Sequence, residues 1–103
     1  MSTTDGKENG TMHKALAHKR GDDVAVAVAA ISEGEEIVVL YVDDDGKQVV
    51  RARADVPYGH KVALQPLAAG DPVLEYSTQV GVARTNIAEG DYVHTHNIKT
   101  ARW

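Results

Sequence analysis

The sequence predicts an all-β domain of short strands and glycine turns, and three observations carry that prediction. Runs rich in valine and isoleucine recur at strand length, as in "EIVVLYV" (36–42). Glycine and proline break the rest of the chain at short intervals, at Pro57, Gly59, Pro66, Gly70, Pro72 and Gly90. No segment sustains the period of an amphipathic helix. At 103 residues the chain is the size of one domain, and a 43% hydrophobic share allows a core. With no Phe and one Trp, that core rests on Val, Ile, Leu and Ala.

Residues 1–12 begin "MSTTDGKENGT" and carry no apolar residue between Met1 and Met12, so the expectation is a disordered leader before a domain at 13–103. From His13 the pattern is β, with His18 closing the first strand. "VAVAVA" (24–29) alternates a β-branched residue with a small one, the mark of a strand with one well-packed face. "EIVVLYV" and "KQVVRARA" (47–54) flank "DDDG", whose Asp45-Gly46 pair signals a hairpin. Alternation in the second arm sets Val50, Ala52 and Ala54 against Val49, Arg51 and Arg53. The last strand is expected at 92–96, inside "DYVHTHN" (91–97).

One pattern occurs three times. "ISEGEEI" (31–37), "LAAGDPV" (67–73) and "IAEGDYV" (87–93) each read aliphatic, two residues, Gly, acid, one residue, aliphatic. The physical content is a tight turn on glycine, an acid that bonds turn amides, and a buried strand that follows.

Charge and composition narrow the function. A net charge of −4 with Lys and Arg scattered among acids argues against nucleic acid. His13, Lys14, His18, Lys19 and Arg20 form the one basic cluster, read with Asp22 and Asp23 as a solvated turn. Zero cysteines removes disulfides and thiolate chemistry and fits the cytoplasm. No apolar run approaches the roughly 20 residues of a membrane span, and no signal peptide is present.

The chemistry-bearing residues are histidines. In a strand over 92–96, His94 and His96 share a face, which suits either an acid and base or a pair of metal ligands. His60, in a loop with Pro57 and Gly59, is the third candidate. Lys61 and His18 are candidate carboxylate binders. Asn97 either orients a substrate hydroxyl or caps a turn.

The strings "HKRGDDVAVAVAAISEGE", "DVPYGHKVAL" and "GDYVHTHNIKTARW", in that order, resemble the SAF domain of the UxaA family of lyases, over residues 13–103. Asp23 stands where that pattern usually has Asn, and Ser77 where it commonly has Gly. The resemblance implies a compact β-clip, similar in shape to type III antifreeze proteins. It implies the small subunit of a lyase that dehydrates a sugar acid of altronate or galactarate type to a 2-keto-3-deoxy acid, with a separate large catalytic subunit. Two alternatives stay open: the alpha subunit of a (2R)-sulfolactate sulfo-lyase, and a non-catalytic module that binds a sugar acid or a partner. The expected cofactor is Fe²⁺ or another divalent metal, held mainly by the large subunit, with no activity from the chain alone. His94, His96 and His60 are then the acid/base or carboxylate-binding groups.

Overall fold

The computed structural model describes residues 13–43 and 46–100. Nine strands run through them: β1 (His13–Ala17), β2 (Val24–Ala27), β3 (Glu36–Tyr41), β4 (Lys47–Arg51), β5 (Lys61–Ala63), β6 (Pro72–Glu75), β7 (Thr78–Ala83), β8 (Tyr92–Val93) and β9 (Ile98–Thr100). Among the described residues there is no helix, as the β-clip expectation requires. The expected leader and Asp45 lie outside the described residues. The hairpin predicted around Asp45-Gly46 is present, with β3 and β4 antiparallel from Glu36↔Arg51 to Leu40↔Lys47.

Six strands form a curled sheet in the order β4-β3-β1-β2-β5-β8, and β6-β7-β9 form a second one. Among the described strands only β1 and β3 pair in parallel. The strands are shorter than the sequence pattern suggests. The run at 24–29 stops at Ala27, and the run at 47–54 stops at Arg51, because the next residues turn to serve the glycine corners. Ala52 illustrates this, since it accepts from the Gly34 amide and donates to the Glu35 carbonyl. The alternation itself holds: Val50 and Ala52 are buried, whereas Val49, Arg51 and Arg53 are exposed.

Two cores result, separated by a shared wall. Ala25, Ala27, Val62 and Leu64 face one cluster with Ile37, Val39 and Val50. Val24 and Ala63, one residue out of step on the same strands, face the other with Val73, Ile87 and Val93. Period-two alternation in β2, β5 and β8 therefore feeds both cores at once. The alanines of "VAVA" are thus the close-packed side of a strand that serves both cores.

The aspartates after the basic cluster are a correction. Lys19 and Arg20 are exposed, but Asp22 and Asp23 are buried. Asp23 is a tie between sheets: its carboxylate accepts from the Leu74 amide at 2.7 Å and from the Gln65 amide nitrogen. Both oxygens are engaged, which suits Asp here better than Asn with its single acceptor oxygen. Asp22 accepts from the amides of His18, Lys19 and Ser77. Burial alone pushes its carboxyl up, but these amides and that of Tyr76 outweigh it and hold the group below the usual range. Ser77 and Tyr76 form the two-residue β6–β7 turn at φ near +60°, a conformation that favours Asn-Gly. Asp22 fastens that turn, and Tyr76 stacks on His18 at 4.1 Å.

Candidate functional site

The three glycine corners found in the sequence are built alike. Gly34, Gly70 and Gly90 sit at φ +88°, +93° and +91°, the left-handed region open to glycine. In each, the acid after the glycine accepts from the amide three residues back: Glu35 from Ser32 at 3.0 Å, Asp71 from Ala68 at 2.9 Å, Asp91 from Ala88 at 2.7 Å. The aliphatic residues that open and close each corner are buried in all three.

The structure adds a fourth corner that the acid-based pattern passed over. "VPYGHKV" (56–62) has Gly59 at φ +84° and buried Val56 and Val62 at its ends. Its exchange with the neighbouring strand matches the others, Gly59 donating to Ala27 and Ala27 to His60. The corners also pair, Ile31 bridging Val56 and Leu67 bridging Ile87. In this fourth corner His60 stands in the acid's place. Three residues back is Pro57, which has no amide proton to satisfy. The turn therefore needs no acceptor at position 60, and the imidazole is released from it.

Strand pairing decides where that imidazole goes. β5 and β8 run antiparallel with Lys61↔Val93 and Val62↔Tyr92. Continuing the register one step sets His60 across from His94, and their rings lie 5.0 Å apart. The Tyr92 hydroxyl meets Nδ1 of His60 at 2.7 Å, and its ring stacks nearly parallel to that of His94 at 5.6 Å. Gly59, His60, Lys61, Val93, His94, Thr95 and Ile98 line an open pocket of about 320 Å³. Lys61 stands at its side, 3.8 Å from Glu75.

His94 and His96 do not follow the predicted strand. β8 ends at Val93, so the alternation that would put both imidazoles on one face does not operate. The cause is Asn97, whose side-chain oxygen accepts from the His94 amide at 2.9 Å and whose amide group donates to the Tyr92 carbonyl at 2.8 Å. That local bonding folds 94–97 into a turn in place of a strand. Of the two roles open to Asn97, the buried side chain has the turn-holding one. His96 lies on another side of Tyr92, in a separate pocket with Ala54, Thr85, Asn86 and Asp91. His18 is elsewhere too, lining a pocket with Glu75, Tyr76, Thr78 and Val80. The structure thus brings together His60, Lys61 and His94, and leaves His96, His18 and Asn97 outside their pocket. It adds Tyr92, which meets His60 through its hydroxyl and His94 through its ring. Among the described residues no group of three or more His, Asp, Glu or Cys is placed to hold a metal ion, and His94 and His96 line separate pockets.

Fold and site together define a class: a small all-β domain that presents paired imidazoles and an ammonium from one open pocket. The sequence places it within that class. The chain belongs to the altronate/galactarate dehydratase SAF domain family, whose profile it matches over residues 13–101. It is 33% identical over 89 residues to the (2R)-sulfolactate sulfo-lyase subunit alpha of Chromohalobacter salexigens, covering 85% of this chain and 95% of that one. With the protein of the same name from Paracoccus pantotrophus it shares 42% over 67 residues, 65% of this chain and all of the relative. With altronate dehydratase of Escherichia coli it shares 43% over 79 residues, 77% of this chain but 15% of that enzyme. These relatives are lyases by name. No described helix is long and apolar enough to cross a membrane.

Proposed function

We propose that this chain is the small subunit of a lyase that eliminates a β-substituent from a hydroxylated carboxylic acid, working with a separate large subunit. The observation that carries the reading is the pairing of His60 with His94 beside Lys61 in one pocket, in a family of lyases. Coverage of 95% of one alpha subunit and of the whole of another supports the small-subunit role.

In the proposed reaction Lys61 draws the substrate carboxylate to the pocket. An imidazole of the His60–His94 pair takes the proton from the carbon bearing that carboxylate. The electron pair left behind forms a carbon–carbon double bond as the neighbouring substituent departs, and the resulting enol becomes a 2-keto acid. A departing hydroxyl needs a proton and leaves as water, giving a 2-keto-3-deoxy acid. Sulfite departs with the carbon–sulfur electron pair, giving pyruvate from sulfolactate. An imidazole can both take and give a proton, which suits it to both tasks. A divalent metal such as Fe²⁺ would act as a Lewis acid on substrate oxygens. The described donors of this chain do not fit such an ion by themselves, so no step here is assigned to it.

The test is co-expression with a large lyase subunit, then assay of altronate, galactarate and (2R)-sulfolactate with Fe²⁺ under anaerobic conditions. Turnover of one of them by the complex, and none by either chain alone, is the expected result. Turnover by the isolated small chain, or a stable complex inert on all three, overturns the proposal.

A further inference from the structure

Tyr92 has no role in the reaction as proposed above, yet its position is unusual for a core residue. It is half-buried, packed against the first core, and it touches three imidazoles. Its hydroxyl makes one hydrogen bond with a described residue, to Nδ1 of His60 at 2.7 Å. A neutral imidazole carries one proton, and the nitrogen without it accepts. The bond's direction therefore decides which face of His60 chemistry the pocket sees. Two features favour donation from the phenol. A phenol is a stronger donor than acceptor, and its ring is fixed by the core and by the near-parallel stack on His94. The remaining nitrogen, Nε2, has no hydrogen-bond partner among the described residues, and His60 lines the pocket.

We propose that Tyr92 is a positioning residue: its hydroxyl donates to Nδ1 of His60, so the neutral ring keeps its proton on Nε2 and offers the pocket a donor. This rests on the lyase reading for its use, though not for its detection. A ring protonated on Nε2 has no lone pair there to accept a carbon-bound proton. His60 then donates a hydrogen bond to the substrate carboxylate or the departing oxygen, and the proton that a departing hydroxyl needs is the one His94 has taken. The proton next to the carboxylate falls to His94, whose ring nitrogens have no hydrogen-bond partner among the described residues. The pair is thereby divided into a donor and a base by one phenol.

The experiment uses Tyr92→Phe, which keeps the ring and its packing and removes only the hydroxyl. Two-bond ¹⁵N–¹H NMR on the full chain reads the His60 tautomer directly at a pH where the ring is neutral. The expected result is a single Nε2–H form in the wild type and a mixture in Y92F, with amide shifts outside residues 58–62 and 91–97 unchanged. A wild-type ring protonated on Nδ1, or a tautomer ratio unaltered by Y92F, overturns the proposal. A second arm measures the assembled complex, where kcat should fall about 10-fold or more with KM within about 2-fold, less than loss of a whole acid or base group. If the tautomer shifts while kcat stays at the wild-type value, the positioning stands and the catalytic reading of His60 falls.

Discussion

Three of the four glycine corners use the residue after glycine to hold the turn, and the fourth does not. Glu35, Asp71 and Asp91 each accept from an amide three residues back. His60 has Pro57 at that distance and nothing to hold. The backbone is the same in all four, down to the glycine φ and the reciprocal bonds to a neighbouring alanine. The difference teaches how a small β domain acquires a functional group without altering its frame: a proline removes a donor, and the side chain that would have satisfied it becomes available. The freed position then matters because β5 pairs with β8 and sets it beside His94.

The largest expected effect falls on the histidine corner. His60→Gln in the assembled complex should lower activity by about 10²–10⁴-fold, the usual contribution of a positioned acid or base. Stability of the chain should fall by only about 1 kcal/mol, the net contribution of the lost Tyr92 hydrogen bond. Normal turnover with a lowered melting temperature would return His60 to a structural role.

Gly90→Ala reverses that balance. An added Cβ would collide with the Arg51 carbonyl oxygen, whereas at Gly34, Gly59 and Gly70 nothing lies within 4 Å. All four substitutions carry backbone strain of order 1–3 kcal/mol. Only G90A adds a backbone collision, so its denaturant midpoint should lie well below those of the other three. Equal losses across the four would show that φ alone governs the corners. Asn97→Ala comes next. It leaves the His94 amide without its acceptor, which costs about 1–3 kcal/mol for a buried group, and it frees the 94–97 turn. Calorimetry should record a fall in Tm, and the His94 ring should lose its fixed contact with His60.

A double-mutant cycle isolates the proline. His60→Asp alone gains no turn bond, because Pro57 cannot donate. With Pro57→Ala added, the introduced carboxylate should acquire the bond its three counterparts make, a coupling of about 1 kcal/mol. Zero coupling would break the equivalence of the corners. The smallest effect is one of pH. The Glu35 carboxyl is held below the usual range by the Lys14 ammonium and the Ser32 amide, against a lesser contrary effect of burial. A lowered folded value means its stabilisation is complete above the unfolded value, about 4.3, and is lost as pH falls through the folded one. The Ser32 amide should then lose protection relative to its intrinsic exchange rate in acid, while the Gly59 amide, in the corner without a carboxylate, keeps its protection.

Much of the frame was legible because glycine turns and β-branched runs are local signals. The three acidic corners and the alternation of Val50 against Val49 needed no tertiary knowledge. His60 was legible as a candidate but not as a corner residue, since a pattern defined by its acid cannot show a position where the acid is dispensable. "VPYGHKV" becomes readable once the proline is seen to remove the need. The strand at 92–96 failed for a different reason. Tyr92, His94 and His96 alternate as strand residues do, but Asn97 competes for the backbone from within the segment. Asp22 and Asp23 misled because charged residues usually stay in water. The arrival of β6 and the 76–77 turn, some 50 residues on, adds the Leu74 and Ser77 amides to the local ones of His18 and Lys19 and lets both carboxylates be buried. The role of Tyr92 depends on β5 and β8 meeting, which no local pattern announces.

The wall shared by the two cores has a consequence for how a ligand would register. His60 and His94 lie at the ends of strands β5 and β8, whose alternate residues are gripped by both clusters. Neither cluster can open while these strands stay in place, and the pocket cannot rearrange unless they yield. Binding there should therefore draw on the cooperativity of the entire domain, raising the free energy of global opening as ligand concentration grows. Slowly exchanging amides in both clusters, Val39 in one and Ile87 in the other, should slow by the same factor when the pocket is filled.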